Sequence, residues 1–202
     1  MVLDIPTGDF AAYLFDLDGT LIDSMPVHQR AWEVALQAVG LTVPFDEEFF
    51  YSLGGVPTLE SARIFRDHYG LSFDAHQLVE DKELRYLDFM PEVRLIEPVV
   101  EFARRVARTH PVAIVTGGGP EIAYPALDAT GLRSLFPVVV TPQDVAPGRG
   151  KPSPDMFLLA AERLNMPATG CLVFEDAMPG VEAARAAAMQ VVIVPRTRPS
   201  AK

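Results

Sequence analysis

Cysteine is almost missing from this chain: its 202 residues include one, Cys171. That excludes a disulfide framework and a cysteine-rich zinc site, and leaves Cys171 to be read as a small buried hydrophobe. Positive charge is short as well. Lys and Arg number 17 against 27 Asp and Glu, a formal net charge of −10, and no basic cluster interrupts that balance. No nucleic-acid partner is expected from such a surface. No apolar run approaches the ~20 residues of a membrane span. The opening stretch, MVLDIPTGDF, carries acids and no apolar h-region of a signal peptide, so a cytoplasmic protein is expected, with a monomer as the default state.

Apolar bulk, by contrast, is plentiful, at 49% of residues. At this length it supports one good core, or one core with a small second domain. Five short apolar runs read as strands: AAYLF (Ala11–Phe15), VAIV (Val112–Val115), VVV (Val138–Val140), CLVF (Cys171–Phe174) and VVIV (Val191–Val194). They are continuous rather than alternating, as strands covered on both faces are. Helical patterns fall between most of them. Val99, Phe102, Ala103 and Val106 share a face, as do Phe157, Ala161 and Leu164, preceded by Ser153 as N-cap and Pro154 at the first helical position. GVEAARAAAM is a strong helix former. The alternation predicts an α/β fold with a doubly wound parallel sheet.

From about Ile22 to Glu92 the alternation stops. MPVHQRAWEVALQAVG reads as a helix with Pro26 early and Gly40 just past its end, and Leu59–Tyr69 and Ala75–Met90 also read as helices. This is taken as a helical insertion, giving a core of residues 1–21 and 93–202 and a small domain of residues 22–92. The tail RTRPSAK after Pro195 reads as frayed.

Open parallel sheets bind ligands at the carboxyl ends of their strands. Past the first strand come Asp16, Asp18 and Thr20; past the second, Thr116, Gly117, Gly118 and Gly119; past the third, after a loop, Lys151; past the fourth, Glu175 and Asp176. Hard oxygen ligands without histidine or thiol favour Mg²⁺, held by one or two carboxylates together with substrate phosphate. A carboxylate can attack phosphorus to give an aspartyl-phosphate. A second acid two residues on can protonate the leaving oxygen and then activate water. Gly19 lets the backbone turn around the phosphate. Singly these signals are weak: a lysine before proline is usually a solvated loop residue. In order, and all past strand ends, they point to phosphoryl transfer.

DLDGT, the threonine after VAIV, GKPSPD and FEDAMPG together resemble the four motifs of the haloacid dehalogenase superfamily of phosphohydrolases, in order and over nearly the whole chain. The resemblance implies a Rossmann-like core and makes the helical insertion a small cap domain. It is nearest to the group holding β-phosphoglucomutase and small sugar-phosphate phosphatases. It implies Asp16 as nucleophile, Asp18 as general acid/base, and Thr116 and Lys151 as phosphate binders. It implies Mg²⁺ held by Asp16, the Asp18 main-chain carbonyl and Asp176, with Glu175 directly or through water. Thr20, Gly117 and Gly118 are expected at the phosphate. His28 and Trp32, four apart on the first insertion helix, and Lys82 on a later one are expected near the substrate; Arg85 reads equally well as a solvated residue.

Two departures stand out. TGGGP lacks the second side-chain donor of the usual Thr-Asn-Ser or Thr-Gly-Ser, and Ala188 stands where the family often has glycine at a helix end. The expected partner is a small phosphorylated metabolite: fructose 1-phosphate, another hexose or pentose phosphate, or phosphoglycolate. A phosphomutase is the main alternative. The resembling mutases carry a cap arginine where this chain has Thr58, and tend to an apolar residue where it has Thr20. A dehalogenase would lack Asp18, and a non-catalytic binding protein would have lost a motif residue.

Overall fold

The computed structural model describes residues 1–54 and 56–195; the tail expected to fray lies outside them. In chain order the elements are β1 (Ala12–Phe15), β2 (Ile22–Asp23), α1 (Met25–Ala38), α2 (Glu47–Ser52), α3 (Thr58–Tyr69), α4 (Ala75–Phe89), β3 (Arg94–Leu95), α5 (Glu97–Val106), β4 (Val112–Val115), α6 (Pro120–Ala129), β5 (Val138–Val140), α7 (Asp155–Arg163), β6 (Cys171–Glu175), α8 (Met178–Ala186) and β7 (Gln190–Ile193). They form two compact units: residues 1–23 with the segment from Arg94 onward, and Ser24–Val93.

The first unit is built on a five-stranded sheet in the order β5-β4-β1-β6-β7, parallel throughout. This is the doubly wound α/β architecture that the five apolar runs predict. Alternate residues of the strands face two different layers. Ala12, Leu14, Cys171 and Val173 pack against Met156, Phe157, Ala160 and Ala161 of α7 and Ala183 and Ala184 of α8. Small residues on both sides of that layer let the helices lie close. The other face is aromatic: Phe15 stacks on Phe174 at 4.8 Å, and Phe102 of α5 meets Phe174 at 4.9 Å. Cys171 is buried, and burial pushes its thiol up to about 11.

Three local features differ from the sequence reading. No strand was expected between Ile22 and Glu92, yet β2 pairs antiparallel with β3, Ile22 opposite Leu95 and Asp23 opposite Arg94. Two residues are too few to leave a periodic signal. Ser153 does not cap α7. Pro154 takes the N-cap position, and the Ser153 hydroxyl donates to the Asp155 carboxylate in the first turn instead. Helix α6, which carried no recognised pattern, contains Pro120 in its first turn and Pro125 in its interior, and prolines conceal a helix from propensity reading. Ala188 sits at φ +57°, the left-handed conformation that glycine favours.

The second unit is helical, with a core of Trp32, Leu36, Phe50, Phe65 and Leu78. Asp46 and Asp74 cap α2 and α4, accepting from Phe49 N–H and Gln77 N–H at 2.9 Å each. No helix among the described residues is long and apolar enough to cross a membrane.

Candidate active site

Strand β1 delivers Asp16 at the carboxyl edge of the sheet, and the chain turns at once. The Leu17 carbonyl accepts from Thr20, Leu21 and Ile22 N–H, and Gly19 N–H donates to the Ile22 carbonyl at 2.8 Å. Gly19 holds φ +84°, and a Cβ there would lie 2.6 Å from Asp176 Oδ2. Glycine is thus required twice, for the backbone conformation and to admit the Asp176 carboxylate. Thr20, expected at the phosphate, is wholly buried beneath this turn. Its hydroxyl has no hydrogen-bond partner among the described residues.

Four residues distant in sequence meet at this edge. Lys151 Nζ lies 2.7 Å from Asp16 Oδ1, 2.8 Å from Glu175 Oε1 and 2.8 Å from the Val115 carbonyl. An ammonium has three N–H donors, and all three are committed. Glu175 Oε2 accepts from Ala177 N–H at 2.7 Å. Asp16, Glu175 and Asp176 each bring a carboxylate oxygen within 4.8 Å of the others. Asp16 is 6% exposed and Glu175 1%.

The electrostatics follow from that packing. Burial would lower the Lys151 pKa, but Asp16 and Glu175 on either side outweigh it and hold the amine protonated. Burial, and then the charges of Glu175 and Asp176, push the Asp16 carboxyl well above the ordinary carboxylate range, while Lys151 pulls the other way. Three carboxylates around one ammonium leave the centre short of positive charge. Hard oxygens and that deficit match a divalent cation, and Gly19 leaves the space that Asp176 needs to face one. The residues present therefore fit a divalent metal.

The second strand end supplies a turn. Thr116 is buried, and its Oγ1 accepts from Gly118 N–H at 3.1 Å. The Gly118 amide is thus engaged with Thr116 instead of standing open. Gly117 is exposed, with open space where a side chain would be. A Cβ at Gly118 would lie 3.5 Å from Thr116 Oγ1 and 3.9 Å from Asp18 Oδ2, so Asp18 borders the same turn.

The helical unit brings its own expected residues together. Lys82 is 2% exposed, with Nζ 3.0 Å from His28 Nδ1 and 5.6 Å from the Trp32 ring. Glu83 and Tyr86 join this cluster unannounced by the sequence. Glu83 Oε1 lies 3.0 Å from Lys82 Nζ, and the Tyr86 ring stacks on His28 at 3.9 Å. A signal existed for Tyr86, four residues after Lys82 on one helix. Arg85 pairs with Asp81 at 2.8 Å.

Fold and site together describe a phosphohydrolase-type α/β enzyme, and comparison with known proteins agrees. Residues 10–188 match the model of the haloacid dehalogenase-like hydrolases. The chain belongs to that family of hydrolases. It is 35% identical over 185 residues to the fructose-1-phosphate phosphatase YqaB of Escherichia coli K12, covering 92% of this chain and 96% of that one. Among solved structures it is similar to CbbY from Rhodobacter sphaeroides in complex with phosphate, with TM-score 0.82 and 25% identity over 93% of this chain and 87% of that one. A putative β-phosphoglucomutase from Thermotoga maritima aligns with TM-score 0.75 and 27% identity, over 95% and 88% of the two chains.

Proposed function

We propose that the chain is an Mg²⁺-dependent phosphatase of a small phosphorylated metabolite, a sugar phosphate in the first instance. It is a hydrolase of phosphoric monoesters. The observation that carries the finer reading is the convergence of Asp16, Lys151, Glu175 and Asp176 on one buried centre at the strand ends. The substrate class is supported by the name of the E. coli relative, a fructose-1-phosphate phosphatase.

In this reading Asp16 attacks phosphorus, and the bond from phosphorus to the alcohol oxygen breaks as the aspartyl-phosphate forms. Asp18 gives its proton to the departing alcohol. It then takes a proton from the water that cleaves the aspartyl-phosphate, which restores both acids and releases inorganic phosphate. Thr116, whose hydroxyl is oriented by Gly118 N–H, holds phosphate oxygens beside Gly117. Lys151, with its donors committed, contributes charge and keeps Asp16 in place. Asp16, Asp176, the Asp18 main-chain carbonyl and Glu175, directly or through water, would hold Mg²⁺, which neutralises phosphate charge when bound. Lys82, seated by His28 and Trp32, is the substrate-selecting cation of the helical unit. The same reading keeps the enzyme cytoplasmic and monomeric, without a nucleic-acid partner.

The test is phosphate release across a panel of sugar phosphates and phosphoglycolate, with Mg²⁺ and with EDTA. Release from sugar phosphates that stops in EDTA is expected. Silence across the panel, or full activity in EDTA, would overturn the proposal.

Likeness to a putative β-phosphoglucomutase makes phosphomutase the second reading. A mutase must hold a second phosphate, which calls for a fixed guanidinium. Thr58 supplies none, and water is therefore the acceptor. With β-glucose 1-phosphate, Mg²⁺ and a trace of glucose 1,6-bisphosphate, free phosphate should outpace glucose 6-phosphate. The reverse order would make the chain a mutase.

A further inference from the structure

Helix α8 breaks a local rule. Its sequence MPGVEAARA is rich in alanine, the strongest helix former, and a glycine inside a helix destabilises it relative to alanine. An isolated glycine in such a pattern points to a packing reason. That reason is Glu175, five residues earlier at the end of β6. A Cβ on Gly180 would lie 1.6 Å from Glu175 Oε1 and 2.0 Å from its carboxyl carbon, far inside the contact distance of any two atoms.

For a side chain to fit, the Glu175 carboxylate must leave its bonds. Gly180 is buried in the first turn of α8, and Glu175 is 1% exposed. The carboxylate is also tied at both ends, Oε1 to Lys151 Nζ at 2.8 Å and Oε2 to Ala177 N–H at 2.7 Å. The bare α-carbon of Gly180 closes the slot between those two bonds. A side chain at position 180 expels the carboxylate from the slot. Lys151 then keeps Asp16 and the Val115 carbonyl but loses its third acceptor, and the three-carboxylate cluster loses its most buried member.

We propose that Gly180 is a positioning residue of the active centre: its missing side chain seats Glu175, and through Glu175 it sets Lys151 and the cation-binding carboxylates. The proposal rests on the phosphatase reading for its consequence in catalysis, but its first test does not.

That test is urea unfolding of the metal-free protein in two backgrounds. Gly180→Ala alone should lower the midpoint, opposite to the gain that alanine ordinarily gives within a helix. On a Glu175→Ala background the slot is empty, and the same substitution should raise the midpoint. A rise in both backgrounds, or a fall in both, would overturn the proposal. If Gly180→Ala alone does not fold, folding of the double variant supports it and failure of both variants defeats it.

The second readout is the Mg²⁺ dependence of phosphate release. Gly180→Ala should raise the half-saturating Mg²⁺ at least tenfold, whereas a helix disturbed only in its packing would leave it unchanged. An unchanged value would reduce Gly180 to packing and reject the positioning role. A wild-type chain that releases phosphate from no ester defeats the phosphatase reading instead, and leaves the urea comparison to judge Gly180.

Discussion

Lys151 reaches Asp16 across 135 residues of sequence, its Nζ 2.7 Å from Oδ1, with both side chains more than nine-tenths buried. The contact ties the loop before α7 to the tip of β1. It also pairs two charges held mostly out of water, and removing one partner of such a pair leaves the other uncompensated.

Lys151→Ala should therefore cost stability as well as activity. Two buried carboxylates, Asp16 and Glu175, lose their ammonium, and a broken buried pair typically costs about 3–5 kcal/mol. Urea unfolding at neutral pH without metal measures it. A loss below about 1 kcal/mol, the range of an exposed pair, would show that the ammonium does not compensate these carboxylates.

Asp16→Asn keeps the shape of the side chain and removes the nucleophile of the proposed mechanism. The variant should fold and lose turnover entirely, because the uncatalysed reaction is extremely slow. Magnesium-dependent phosphate release above a trace would remove Asp16 from its assigned role.

Gly118→Ser should improve substrate binding. The new Cβ meets only ordinary contacts, 3.5 Å from Thr116 Oγ1 and 3.9 Å from Asp18 Oδ2, and the hydroxyl adds a donor to the turn that holds phosphate in the proposed function. A hydrogen bond to a charged acceptor contributes roughly 1.5–3 kcal/mol, so KM should fall about tenfold or more. A KM that rises with kcat unchanged would show that the turn does not face the phosphate.

Asp144 gives a pH-dependent stability. Its carboxylate accepts from Thr141 N–H at 2.8 Å, from the Thr141 hydroxyl at 2.9 Å and from Arg163 at 2.6 Å. Partial burial pushes its pKa up, but these bonds outweigh burial and hold it below the ordinary value. A depressed carboxyl stabilises the fold above the unfolded pKa of about 3.9 and loses that effect as pH falls through the folded value. Asp144→Ala should thus cost roughly 1–2 kcal/mol at pH 7, and the difference from wild type should shrink below about pH 4. A difference that stays constant down to pH 2 would assign the cost to packing.

Ala188→Gly should stabilise the fold. Relief of a left-handed alanine is worth about 1–2 kcal/mol, against about 0.4–1 kcal/mol of added unfolded-chain entropy. A melting temperature below wild type would contradict the balance.

How far the sequence carried the structure depended on the range of each signal. The runs VAIV and CLVF were legible as buried strands because both faces of the sheet are covered, so no polar residue interrupts them. Asp16, Lys151, Glu175 and Asp176 were legible as one set because parallel strands deliver their ends to one edge whatever their separation in sequence. Signals carried by a single residue against a distant partner were not legible. Thr20 sits beside Gly19 in sequence, yet the turn folds its hydroxyl inward. Glu83 carries no signal of its own in the sequence, and it joins the cluster only through its contact with the buried Lys82.

The short ribbon of β2 and β3 bears on how such a chain diversifies. Asp23 and Arg94 are paired neighbours in this ribbon, so the chain leaves the ribbon and re-enters it at a single rung. Everything between those two residues hangs on adjacent attachment points, the arrangement in which inserted segments are best tolerated. Replacing the segment leaves the register of β1, β4 and β6 to its own contacts. Evolution can therefore exchange the insertion without reopening the question of where Asp16 stands.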